Sequence, residues 1–173
     1  MKFVTVMRMA VLLMFCAGAG VAVANGANTL AQPTDKPILT ISGMIAVTNK
    51  DGAAQFDRAM LEGMGMVSFE TTTPWYKGPV RFEGVPLAKL FATVGATGDR
   101  IVAVALNDYA VEIPMEDVKK YNVILALKRD GEYMPVKDKG PLFIVYPYDS
   151  DPELKSQKFY SRSAWQVAKL EVK

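Results

Sequence analysis

Apolar and polar residues alternate with a period of two over residues 38–43, Ile-Leu-Thr-Ile-Ser-Gly, which predicts a strand. Asp51 stands where a helix cap belongs, and Phe56, Met60 and Leu61 share one helical face up to Glu62, with Gly63 as the stop. A second strand is expected over 66–72. It runs into Thr73-Pro74-Trp75-Tyr76-Lys77-Gly78-Pro79, a turn that carries two aromatic rings. Pro86 suits the first position of a helix over 87–94, whose Leu87, Leu90 and Phe91 face inward before Gly95 ends it.

Residues 100–106 and 109–113 read as the two strands of a hairpin about Asn107-Asp108. A short helix follows over 115–121, then a strand over 123–128, a turn at Asp130-Gly131 and an apolar strand over 142–146. Between Pro147 and Ser163 no period holds and the chain is polar and rich in tyrosine, whereas residues 165–172 alternate again as a final strand. The pattern predicts a single α+β domain with a mixed sheet over residues 38–173 and one long irregular loop. Such loops are where function tends to sit.

Ahead of that domain the pattern changes. A short basic start with Lys2 and Arg8 leads into an uncharged apolar run from Met9 that ends Val21-Ala22-Val23-Ala24, the form of a secretory signal cut after Ala24. The run is shorter than the ~20 apolar residues of a spanning helix, so residues 1–24 are expected to be a signal peptide, with no direct membrane insertion. Phe15 before Cys16 does not suit lipoprotein processing, and Lys2 and Arg8 are too far apart for a twin-arginine signal, which exports proteins already folded around a cofactor. Residues 25–37 are small and polar, broken by Pro33 and Pro37, and are expected to form a flexible leader.

Cleavage after Ala24 changes the charge balance. The 20 basic and 18 acidic residues become 18 of each, because the signal holds Lys2 and Arg8 and no acid. A balanced chain gives no basis for binding nucleic acid or an anionic membrane. The sequence has no histidine, and its single cysteine, Cys16, leaves with the signal. The exported domain therefore has no Ser-His-Asp triad, no thiol nucleophile, no histidine-held zinc or iron and no thiolate-held cluster. Asp149-Ser150-Asp151-Pro152-Glu153 begins like a calcium loop, but Leu154 replaces the glycine of its sixth position, and a solvated turn fits better.

What remains is a set of flat and hydrogen-bonding residues in irregular segments. Trp75 and Tyr76 share a turn, Tyr109 follows Asn107-Asp108, and Tyr146, Tyr148, Tyr160 and Trp165 surround the long loop with Arg162 and Ser163. Rings and edge-reading groups of this kind suit a slot for a planar, polar heterocycle. Trp165 and Tyr146 suit the core of their strands equally well.

Five stretches carry a family resemblance by their order and spacing. They are Phe82-Glu83-Gly84-Val85-Pro86-Leu87-Ala88-Lys89-Leu90-Phe91, Asn107-Asp108-Tyr109-Ala110-Val111-Glu112-Ile113-Pro114-Met115-Glu116-Asp117, Ile124-Leu125-Ala126 with Asp130-Gly131-Glu132, Gly140-Pro141-Leu142-Phe143-Ile144-Val145-Tyr146-Pro147, and Val167-Ala168-Lys169-Leu170-Glu171-Val172. Together they resemble the molybdopterin-binding domain of the sulfite oxidase family, which implies that family's α+β fold for nearly all of the exported chain.

Three departures from the family carry the functional expectation. In that family a cysteine at the end of the strand before the Gly-x-Pro-Leu helix gives its thiolate to molybdenum, and counting back from Gly84 places Thr72 there. A hydroxyl is a hard, weakly acidic substitute for that soft ligand. Phe143 stands in place of an arginine common in the family's Pro-Leu-Arg strand. A cofactor-gripping Lys-Ser-x-Lys stretch aligns with Arg162-Ser163-Ala164-Trp165, which loses a phosphate-binding cation and gains a stacking surface.

The departures are similar to those of periplasmic pterin-binding proteins built on this fold, which report a pterin to membrane-spanning enzymes that make or degrade cyclic di-GMP. The resemblance implies a periplasmic, non-catalytic protein with a pterin as ligand and without molybdenum. It implies the periplasmic domain of a membrane signalling protein as partner. With the aromatic set, it makes Thr72, Trp75, Tyr76, Asp108, Tyr109, Asp149, Arg162, Ser163 and Trp165 the candidate ligand contacts. The alternative is a molybdopterin-dependent oxidoreductase with an atypical metal site.

Overall fold

Leu39 and Ile41 are enclosed while Thr40 and Ser42 stay partly open, so the period-two alternation does build the first strand, β1 (Leu39–Gly43). The computed structural model describes residues 30–173. The expected signal peptide, and the leader as far as residue 29, lie outside them. Among the described residues no helix is long and apolar enough to cross a membrane.

β1 lies between β2 (Ala54–Phe56), which is antiparallel to it, and the last strand, β10 (Val167–Val172), which is parallel. β10 also pairs with β5 (Arg100–Ala105), and β5 with β6 (Ala110–Pro114), to give the sheet order β2-β1-β10-β5-β6. A second, antiparallel sheet runs β3 (Val67–Thr72), β4 (Pro79–Pro86), β7 (Ile124–Arg129), β8 (Glu132–Tyr133), with β9 (Phe143–Val145) also against β7. Four short helices complete the fold: α1 (Arg58–Gly63), α2 (Leu87–Thr93), α3 (Met115–Lys120) and α4 (Gln157–Arg162). Phe56, Leu61, Phe82, Leu90, Ile101 and Phe143 are fully enclosed in one core. Burying each contributes roughly 2 kcal/mol, and no disulfide adds to this among the described residues.

Several predicted boundaries move. No helix starts at Asp51; Asp51 and Gly52 take positive φ values of 44° and 78° in a turn, and β2 follows. The cap is Asp57, whose Oδ1 accepts the Met60 amide at 2.8 Å. Its Oδ2 accepts the amides of Thr34 and Asp35 at 2.8 and 3.0 Å, so residues 34–35 of the expected flexible leader are tied to the domain. Asn49 adds a hydrogen bond to the Ala31 carbonyl at 2.7 Å, and Leu30 packs on the core. The amides of Met60, Asp35 and Thr34 hold Asp57 below the ordinary carboxylate range, that of Met60 acting most strongly. Pro86 ends β4 and caps α2 instead of opening it.

β4 itself is not visible in the pattern, because Pro79, Gly84 and Pro86 read as breakers. Gly84 pairs with Ala126 of β7, and a Cβ there would lie 2.2 Å from the Leu125 carbonyl oxygen, so the strands meet this closely only over glycine. The segment expected to be wholly irregular contains two 3-10 turns and α4. Beyond α4 the chain docks on β9: the Ile144 amide donates to the Ala164 carbonyl and the Val167 amide to the Leu142 carbonyl, both at 2.9 Å. That docking fixes Trp165 beside Phe143.

Candidate functional site

Three segments converge on a cleft of about 470 Å³, within the usual size of small-molecule sites. The turn after β3 supplies Pro74 and Trp75, the β5–β6 hairpin supplies Asn107 and Tyr109, and α4 with the residues after it supplies Tyr160 and Trp165. The hairpin has the predicted turn: Asp108 takes a φ of 62°, and Asn107 Oδ1 accepts the Tyr109 amide at 3.2 Å. This Asx geometry turns Tyr109 outward, 56% exposed.

Trp75 is the hub of the aromatic wall. Its ring meets Phe143, Trp165, Tyr160 and Tyr148 edge-on, at centroid distances of 5.5, 5.6, 6.0 and 6.3 Å. The two indoles stand at 77° to one another, so they cannot sandwich a flat ligand between parallel faces. Trp165, 40% exposed, and Tyr109 present the open ring surfaces.

Of the nine candidate residues, the structure brings Trp75, Tyr109, Ser163 and Trp165 to this cleft. Ser163 is already engaged. Its hydroxyl donates to the Phe159 carbonyl at 2.9 Å and shares a short hydrogen bond with the Tyr148 hydroxyl, and it is 2% exposed. Burial holds the Tyr148 phenol above its ordinary range, so it remains protonated.

The other five do not face the cleft as free groups. Thr72 and Asp149 bind each other: the carboxylate accepts the Thr72 amide and hydroxyl, both at 2.6 Å, and Lys155 Nζ lies 2.6 Å from the same carboxylate. The Asp149 amide in turn donates to the Thr71 hydroxyl at 3.0 Å. Lys155 first, and then the two Thr72 groups, hold Asp149 down to about 2. An anion so weakly basic is a poor proton acceptor at neutral pH.

Arg162 turns to the far side of α4, where its Nη1 lies 2.7 Å from Asp117 Oδ2. The Tyr146 hydroxyl donates to the same oxygen at 2.8 Å, and burial, then Asp117, push that phenol above its ordinary range. Tyr76 follows Trp75 but leaves on the opposite side of the turn, donating to Asp138 Oδ1 at 3.0 Å beneath Arg129 and Lys139. Asp108 is exposed at the hairpin tip and does not line the cleft. Gln157 and Ser161, which no sequence pattern singles out, also line the wall, together with Tyr160 and Asn107.

Thr72, which the resemblance leads one to expect at the metal-holding position, offers a hydroxyl that donates a hydrogen bond to Asp149, and no soft donor. Among the described residues no three His, Cys, Asp or Glu side chains gather as a metal site. The aromatic cleft fits a flat heterocycle; the Thr72 position does not fit a thiolate-held metal.

Comparisons with known proteins agree on the fold. Comparison with curated proteins gives no match. A solved structure, the sulfane dehydrogenase SoxCD from Paracoccus pantotrophus, superposes with a TM-score of 0.58 at 19% identity, over 78% of this chain and 37% of that one. This chain thus spans a little over a third of that protein's length, and the likeness concerns the fold alone. The family model described as the oxidoreductase molybdopterin binding domain matches residues 51–149, from the turn before β2 to Asp149. The chain belongs to the oxidoreductase molybdopterin-binding domain family.

Proposed function

We propose that this protein is a periplasmic, non-catalytic pterin-binding protein that signals the bound pterin to the periplasmic domain of a membrane-bound cyclic di-GMP regulatory enzyme. The observation that carries the ligand assignment is the aromatic cleft of about 470 Å³ on a molybdopterin-binding fold. A pterin is flat, with a polar edge. Stacking on the open face of one indole supplies affinity, about 1 kcal/mol beyond the area buried, while the perpendicular rings close on its edges. Trp165 and Tyr109 are the stacking surfaces in this reading, and Trp75 braces Trp165.

Two features support the absence of catalysis. Thr72 gives its hydroxyl to Asp149 and has no thiolate to offer a metal, and Asp149 is tied up by Thr72 and Lys155. The localisation and the signalling partner rest on the signal-like N-terminus and on the family resemblance.

Purification of the exported protein tests the proposal. A fluorescent pterin released on denaturation at about one per chain, without molybdenum, is the expected result. Molybdenum at about one per chain would overturn it.

A further inference from the structure

Among the described residues Lys139 is the one cation seated over a ring that lines the cleft: its Nζ lies 5.5 Å from the centroid of Trp165. The same ammonium lies 4.7 Å from the centroid of Tyr76, so it joins the segment that supplies Trp75 to the segment that supplies Trp165. Its backbone is fixed at the same seam. Lys139 takes a φ of 64° after the 3-10 turn Val136–Asp138, its carbonyl accepts the Gln166 amide at 3.0 Å, and Gln166 Nε2 donates to the Val136 carbonyl at 2.6 Å. The charge is not cancelled locally: Asp138 Oδ1 is 4.0 Å from Nζ, while Asp138 Oδ2 is held by Arg129 at 2.5 Å. Only 20% of the Lys139 side chain is exposed, which limits screening by water.

We infer that Lys139 is the positioning residue of the cleft: it seats the Trp165 ring as a stacking surface and, through that ring, favours a flat ligand without positive charge over a cationic one. The inference rests on the pterin assignment of the cleft. Trp165 is 40% exposed, and its contacts with Trp75 and Phe143 are both near-perpendicular, at 77°. A cation over the indole face adds the hold that fixes the tilt of the ring. That hold draws on the negative face of the indole, so a second cation on the same ring meets repulsion and a depleted partner. A neutral ring keeps its buried area and its stacking.

Titration of ligand-free protein with 6-hydroxymethylpterin and with 6-aminomethylpterin, which adds an ammonium, tests this. The parent should bind the hydroxymethyl compound at least about threefold more tightly. Lys139→Met, which keeps an unbranched stem without the charge, should weaken that compound about fivefold, close the gap between the two ligands and open the tryptophan emission to acrylamide quenching. Lys139→Gln, also uncharged, should do the same, and Lys139→Arg should restore all three properties. If the uncharged variants bind the hydroxymethyl compound like the parent, or if they weaken both ligands equally so that the gap persists, the assignment to Lys139 fails and the pterin assignment stands. If neither compound binds the parent, the pterin assignment fails and this one falls with it.

Discussion

Asp149 grips Thr72 by both its amide and its hydroxyl, at 2.6 Å each, joining the end of β3 to the turn after β9. The family resemblance leads one to expect a metal-holding position at residue 72; in this structure its side chain serves as a structural tie. Because Asp149 is held down from 3.8 to about 2, the tie stabilises the fold fully above the unfolded value, and that stability is lost as pH falls through about 4 to 2. Asp149→Asn should therefore be less stable than the parent at pH 6, with the difference shrinking toward pH 2. Urea midpoints across that range check it; a difference that is constant with pH would show the carboxylate charge to be irrelevant.

Arg162 should matter for folding and not for ligand binding. Arg162→Ala leaves the Asp117 carboxylate, with its side chain only 9% exposed, facing the Tyr146 hydroxyl alone. Losing one partner of such a pair costs about 3 kcal/mol. Pterin affinity, measured well below the lowered melting temperature, should change less than twofold.

The two tryptophans should separate cleanly. Trp75 is half-buried against four rings, so Trp75→Ala is expected to cost about 3 kcal/mol. Trp165, 40% exposed, should cost about 1 kcal/mol on truncation yet abolish pterin retention. Denaturation curves and pterin content of the purified variants give both values.

Gly84→Ala tests why the Phe-Glu-Gly-Val-Pro-Leu stretch needs its glycine. The added methyl would meet the Leu125 carbonyl oxygen at 2.2 Å and the Ala126 Cα at 2.5 Å, both backbone atoms that cannot swing aside. Overpacking of this kind costs about 3 kcal/mol. Circular dichroism melts should show the loss.

Strands with one wet and one dry face were legible in the sequence, as in β1, β5 and β10, because burial of one face imposes the period that was read. β4 was hidden by its own glycine and prolines, and α4 by its brevity, since Phe159 is its one buried residue. Gln157, Tyr160 and Ser161 stand three and four residues apart and share the cleft face of that helix, while Arg162 turns away to Asp117. The same lack of a period at the turn after β3 left Trp75 and Tyr76 equivalent, although successive side chains leave it on opposite sides. The aromatic character of the site could be read; the identity of its free polar groups needed the three-dimensional pairing of the charges around it.

The chain contains only two tryptophans, Trp75 and Trp165, and both line the cleft, so their emission reports on it directly. Titrating a pterin into ligand-free protein should quench that emission saturably at one equivalent, and Trp165→Ala should remove the saturable component. Emission that stays unquenched by excess pterin in a folded protein would contradict the placement of a pterin in this cleft.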